Sequence, residues 1–426
     1  MKTNSKSVKG RSTRIRNIEQ LWKVAIEFQM KDANYPIDAM IEIDSRRSPR
    51  ITDQDIADVV GNVFASHYWS YTKLDSDKLK IDLMSAGIIS SNNQNRASEV
   101  ANRAFRQWRG MFSRNNFADT GLIPKPGNFT NCPDIICSQV YLKPQIIIEQ
   151  WNNQFWNKPS ADAPNYIYIR SQSLNFDYEQ IPDVQMFYTH AGFNQPPTSW
   201  KKMYTAENQS LKGEMCTVNG ELGEPFARNT RGCSEAFVFN PKSDMHVCVI
   251  GIINTNFFKD FMKTNGGNWE SLTWIRYNGA AVWRNYDPQT STKEYLKFYN
   301  QDNQTEEFTL KAVCENVPVG YTLRLMHNGE LLKFDSGKIE ILNNHQVIQE
   351  KISVPGNYEG DVEVEIVGKD GSLLPADSHV EISFNWSISE GHNNYFDALS
   401  LEGRLDKNIQ DEDINLSMGS FILYGE

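Results

Sequence analysis

Residues 361–367 read DVEVEIV. Val362, Val364 and Ile366 alternate with Glu363 and Glu365, and the side chains of a strand point to opposite faces at every step. One face is therefore aliphatic and must enter a core while the carboxylates face water, the pattern of a half-buried antiparallel strand. Working outward, EYLKFYN (294–300), EFTLKAV (307–313), YTLRLMHNGELLKF (321–334), KIEIL (338–342) and QEKISV (349–354) precede it, and HVEISFNWS (379–387) and GSFILYGE (419–426) follow. Each is a short apolar or alternating run bounded by turn residues. Asn328-Gly329 and Asp370-Gly371 are expected to make hairpin turns. This spacing over residues 293–426 predicts an immunoglobulin- or fibronectin-like β-sandwich.

Upstream, DIICSQV (134–140), NYIYIRS (165–171), DVQMFYTH (183–190), EAFVFN (235–240), HVCVIGIIN (246–254) and AAVWRNYD (280–287) supply strands for a second antiparallel sandwich over residues 130–292. The succession CPDI, APNYIYIRSQSL, PPTSWKK, FVFNP, HVCVIGIIN, YNGAAVWRNYD resembles a loosely described group of uncharacterised bacterial β-rich proteins. The resemblance covers residues 130–290. It implies β-sandwich architecture and brings no catalytic residues with it.

The first part of the chain reads differently. Ile18, Leu21, Trp22, Ala25 and Phe28 recur at three- and four-residue steps, and so do Ile56, Val59, Val60, Val63, Phe64 and His67 behind a cap at Thr52 and Asp55. A third stripe, with Val100, Ala104, Phe105, Trp108, Met111 and Phe112, runs from about Arg96 to Phe112. These predict an α-helical N-terminal domain over 17–120. TGLIPKPGNFTNCPD (120–134), rich in Pro and Gly, is read as the joint that follows it. The expected fold class is mainly β with an α-helical N-terminal region and two antiparallel β-sandwich domains.

The net charge is −10, yet residues 1–16 carry Lys2, Lys6, Lys9, Arg11, Arg14 and Arg16 and no acid, so a basic flexible tail precedes an acidic body. ITDQDIADVVGN and LMSAGII are too far apart for a helix-turn-helix, and an acidic body repels phosphate, which disfavours nucleic acid as a partner. The tail lacks the apolar segment of a secretory signal, so a cytoplasmic location or leaderless release is expected. No apolar run of about 18 residues offers a transmembrane segment. The six cysteines are too few for a disulfide scaffold and leave room for one or two bridges.

The sequence holds no H-E-x-x-H, P-loop, G-x-S-x-G or dinucleotide-binding glycine motif. His246 and Cys248, two apart on one strand, share a face and are the one candidate metal or thiol site, although their apolar flanks favour packing. No cofactor is expected. In NYIYIRS, Ile167 and Ile169 face the core, leaving Tyr166, Tyr168 and Arg170 on the opposite face, where the helical domain covers them or a ligand meets them. Trp151 and Trp156, in a polar stretch, are further ligand-binding candidates. The function expected is a non-enzymatic bacterial binding or structural protein that engages a protein partner, an assembly of its own copies or a surface glycan. The alternative is a toxin-like effector acting at a cell surface, and below it a Cys/His-dependent enzyme.

Overall fold

The computed structural model describes strands over 22–30, 37–43 and 74–85, and the chain from 107 to 425 except residues 109, 126, 156, 175–178, 243–245, 257–265, 287–291 and 403–412. The chain divides into two compact units, residues 1–110 with 174–178, and residues 111–173 with 179–426. The fold is mainly β, built from several antiparallel sheets.

In the first unit, β1 (Trp22–Met30) lies between β2 (Ile37–Ile43) and β3 (Leu74–Ser85) and is antiparallel to both. This corrects the helix expected over these residues. The stretch WKVAIEFQM satisfies two periods at once: Trp22, Val24, Ile26, Phe28 and Met30 also alternate, and their β-branched and aromatic types favour the strand. The register confirms it, with Trp22 opposite Ile43, Val24 opposite Ile41 and Ile26 opposite Ala39. The second expected helix lies outside the described residues, as does most of the third. The end of the third, Met111–Phe112, is strand β4.

In the second unit a broad sheet contains β4, β5 (Ile135–Ser138), β6 (Asn165–Ser173), β7 (Asp183–His190), β9 (Lys201–Lys202), β10 (Tyr204–Thr205), β11 (Gly213–Cys216), β12 (Arg231–Ser234), β13 (Phe237–Phe239), β14 (Val247–Asn254) and β15 (Ala281–Tyr286). Helix α1 (Pro144–Glu149) starts on a proline whose missing N–H would have had no helical partner. Helix α2 (Gly267–Arg276) places Leu272 and Ile275 in the core. Among the described residues no helix is long and apolar enough to cross a membrane.

The C-terminal strands form two more sheets. The first orders β19 (Lys333–Asp335), β18 (Thr322–Asn328), β22 (Tyr358–Val367), β16 (Lys293–Asn300) and β8 (Gly192–Phe193), with β20 (Ile339–Glu340) beside β18. The second orders β21 (His345–Val354), β17 (Glu306–Glu315), β23 (His379–Ile388) and β24 (Ile414–Tyr424), and helix α3 (Tyr395–Leu401) precedes β24. As read from DVEVEIV, Val362, Val364 and Ile366 are buried. Phe298 of one sheet meets Phe384 of the other at 5.7 Å between ring centres, and Phe384 stacks on Phe308 at 4.3 Å.

Two turn expectations change. Asn328-Gly329 opens a loop in which the Gly329 N–H reaches the Leu332 carbonyl, with Asn328 opposite Lys333. That loop is two residues longer than an Asn-Gly hairpin turn. Asp370-Gly371 makes a turn, with Gly371 at φ +83°, but it connects β22 of one sheet to β23 of the other. The joint expected near 121–131 is packed: Ile123, Lys125, Phe129 and Thr130 are all buried. One core also continues past residue 292, because Phe129, Phe193, Cys248, Ile250 and Trp283 belong to the same apolar cluster as the C-terminal strands.

Candidate functional site

Strand β6 carries the residues singled out in the sequence, and the structure buries most of them. Ile167 and Ile169 enter the core as expected, but Tyr168 and Arg170 on the opposite face are buried as well. Their cover is local. α1 and the residues after it lie over this face, where Ile147, Ile148 and Ile136 pack with Tyr168. The Tyr168 hydroxyl donates to the Leu142 carbonyl at 2.9 Å and accepts the Leu142 N–H at 2.8 Å. Burial pushes its phenol well above the usual range.

Arg170 meets Asp134 at 3.2 Å and donates to the carbonyls of Pro133, at 2.8 Å, and Gln150. Arg114 grips the same carboxylate twice, at 2.6 and 2.9 Å, and donates to the Trp151 carbonyl at 2.7 Å. Gln150 and Trp151 directly follow α1, so the two guanidinium groups set positive charge on carbonyls where the helix stops, that of Gln150 also accepting the Asn153 N–H at 2.9 Å. The Trp151 ring is buried among three guanidinium groups, with Arg114, Arg231 and Arg170 at 4.1, 5.0 and 5.8 Å from its centre. Tyr168, Arg170 and Trp151 are thus corrected from ligand-binding candidates to structural groups. Tyr166 stays half-buried, edge-on to Tyr141 at 5.6 Å, and Trp156 lies outside the described residues.

The His246 and Cys248 pair also separates. His246 Nε2 contacts the Glu294 carboxylate, and its ring lies edge-on to Phe421. Cys248 is fully buried, donates from Sγ to Asn285 Oδ1 at 2.6 Å and accepts from Gln195 Nε2 at 3.6 Å. Burial pushes this thiol up to about 12, which favours its protonated form and weighs against a nucleophilic role at neutral pH. Among the described residues no group of three His, Cys, Asp or Glu side chains is placed to hold a metal ion. All six cysteines are free and buried, so the one or two bridges that their number left room for are not formed.

An open sheet edge is one surface available to a partner. β21 pairs with β17 over its whole length, from His345 opposite Glu315 to Val354 opposite Glu306. Among the described residues no strand pairs with its other side. Ile348, Ile352 and Val354 face the core, while His345, Val347, Gln349, Lys351 and Ser353 are exposed. Ten residues span about 33 Å of peptide groups along that side. The exposed pair Lys351–Asp413, 3.3 Å apart, contributes at most about 1 kcal/mol and is readily exchanged. Sequence reading found only the last six residues of β21, and no composition signal marks a strand as the last in its sheet.

No described family matches the sequence, and no curated protein matches it. Among solved structures, the chain is similar to a transglutaminase of red sea bream at 10% identity and TM-score 0.17, the alignment covering 73% of this chain and 36% of the enzyme. The adhesin CfaE of enterotoxigenic E. coli gives 10% identity and TM-score 0.14 over 74% of this chain and 92% of that one. The CupB6 tip adhesin of Pseudomonas aeruginosa gives 7% identity and TM-score 0.10 over 66% and 96%. Scores this low assign the chain to none of these families.

Proposed function

We propose that the protein is a non-enzymatic binding protein. Its C-terminal sheets form an immunoglobulin-like sandwich and take up an extended segment of a protein partner along the open side of β21. The observation that carries this reading is the long strand with one side unpaired among the described residues. An extended peptide that adds to such an edge gains main-chain hydrogen bonds for affinity and alternate side-chain contacts for selectivity. Natural sheets usually blunt long edges with charge, and here the charged residues at mid-strand are Lys351 on the exposed face and the half-buried Glu350.

Self-pairing fits poorly. An antiparallel copy centred near mid-strand sets Glu350 against Glu350 or Lys351 against Lys351, or, centred on Gln349, sets Ile348 against Glu350, whereas registers centred on Ile348 or Ile352 avoid these pairs but match only part of the strand. A different chain, with an acid opposite Lys351, is the better occupant.

The test is an extended-peptide array followed by hydrogen exchange on the selected complex. Binding should protect amides within His345–Val354. Val347→Lys with Gln349→Lys should weaken binding at least about tenfold while the melting temperature stays unchanged. Selection of glycans only, or protection confined to other strands, would refute the edge.

A further inference from the structure

Lys125 has no solvent-exposed surface. Its Nζ donates to the Ala281 carbonyl at 2.8 Å and to Asn115 Oδ1 at 3.4 Å. An ammonium group offers three donors and burying it is costly without a counter-charge. Here one contact is good and one is long, and among the described residues no carboxylate lies within ion-pair distance of it. Burial pushes the Lys125 amine down, toward its neutral and nucleophilic form.

The group facing it is an amide in an unusual condition. Asn115 is buried, and its Nδ2 is enclosed and makes no hydrogen bond. Asp119 is held on the same turn, its carboxylate accepting the N–H groups of Asn115 at 3.0 Å and Gly121 at 2.9 Å. Of the nearby carboxylates it acts most strongly on the Lys125 charge. The other, Asp134, is occupied by Arg114 and Arg170.

We propose that Lys125 and Asn115 become joined by an intramolecular isopeptide bond. Lys125 Nζ attacks Asn115 Cγ, an Nζ–Cγ bond forms and the Cγ–Nδ2 bond breaks. The proton lost by the amine passes to Nδ2, which leaves as ammonia. Nothing is oxidised or reduced and no co-reactant is required. Two groups held in contact within a dry core have the high effective concentration that lets an otherwise sluggish amide exchange proceed.

Intact mass of the purified chain under denaturing conditions tests this directly. The expected mass is lighter than that of the linear sequence by one ammonia. Cleavage after Arg114 and before Asp119 should leave the two resulting peptides covalently joined. Lys125→Met and Asn115→Ala should each restore the full mass and separate the peptides, in chains that still melt cooperatively. A wild-type chain of full mass whose peptides separate overturns the proposal. So does an ammonia loss that persists in Lys125→Met, which would place it at an Asn-Gly succinimide. A cross-link that survives in Asn115→Ala overturns the assignment of that amide as the acceptor.

Discussion

Asp134 is the residue on which the covered face of β6 depends. Two buried guanidinium groups share its carboxylate, and removing one member of a buried ion pair strands the charge it leaves behind. Asp134→Asn is therefore expected to lower stability by about 3–5 kcal/mol, measured as a shift in the urea midpoint at constant slope. The buried thiols give a pH signature. Cys132, Cys137 and Cys248 are pushed up to about 12 by burial, whereas a thiol in the unfolded chain ionises near about 8.5. Their contribution is fully present below that pH, and it is lost as pH rises, because only the unfolded chain gains the thiolate. Stability should hold level from neutrality and then fall steadily into the alkaline range, and native Cys248 should resist thiol reagents throughout the level region. At this scale the sequence was half legible. NYIYIRS showed which side chains share a face, but the cover for Tyr168 and Arg170 comes from a six-residue helix too short to display a periodicity of its own.

At the scale of elements, legibility followed the number of periods a segment can satisfy. DVEVEIV alternates and does nothing else, so its strand and its buried face were both readable. WKVAIEFQM fits a helical stripe and an alternation equally well, and pairing with β2 and β3 decides between them. A strand's own residues do not name its pairing partner, which is also why the open side of β21 left no trace there. Glycine marks a second element-level constraint. In β12, a Cβ on Gly232 would stand 2.2 Å from the Phe226 ring and 2.7 Å from the Cys216 carbonyl oxygen. Backbone on one side and a buried ring on the other leave little room to give. Gly232→Ala is expected to destabilise by about 1–3 kcal/mol, as overpacking does, read from thermal melts beside a neutral surface substitution such as Lys212→Ala.

Across the second unit, the decisive feature is a single apolar cluster that joins the broad sheet to the C-terminal sheets. Phe193 of β8 packs on Phe384 of β23, and β8 pairs in parallel with β16. Residues 111–426 should therefore unfold in one transition, with calorimetric and van't Hoff enthalpies in agreement. Limited proteolysis should spare 121–131, and cutting there ahead of global unfolding would contradict the packing of Phe129 and Thr130. The Pro and Gly content of that segment suggested a joint because composition reports turns and says nothing of what packs around them. The link between Thr130 and Ser420, where the Ser420 N–H donates to Thr130 Oγ1 at 3.0 Å across 290 residues of chain, bears on how the protein is made. At about 5–20 residues per second, a ribosome needs roughly 15–60 s to travel between them. In the later part of that interval, after Tyr286 completes the broad sheet and before Phe384 is made, Phe193 waits without its partner ring, so chaperone engagement during translation bears on whether this fold is reached.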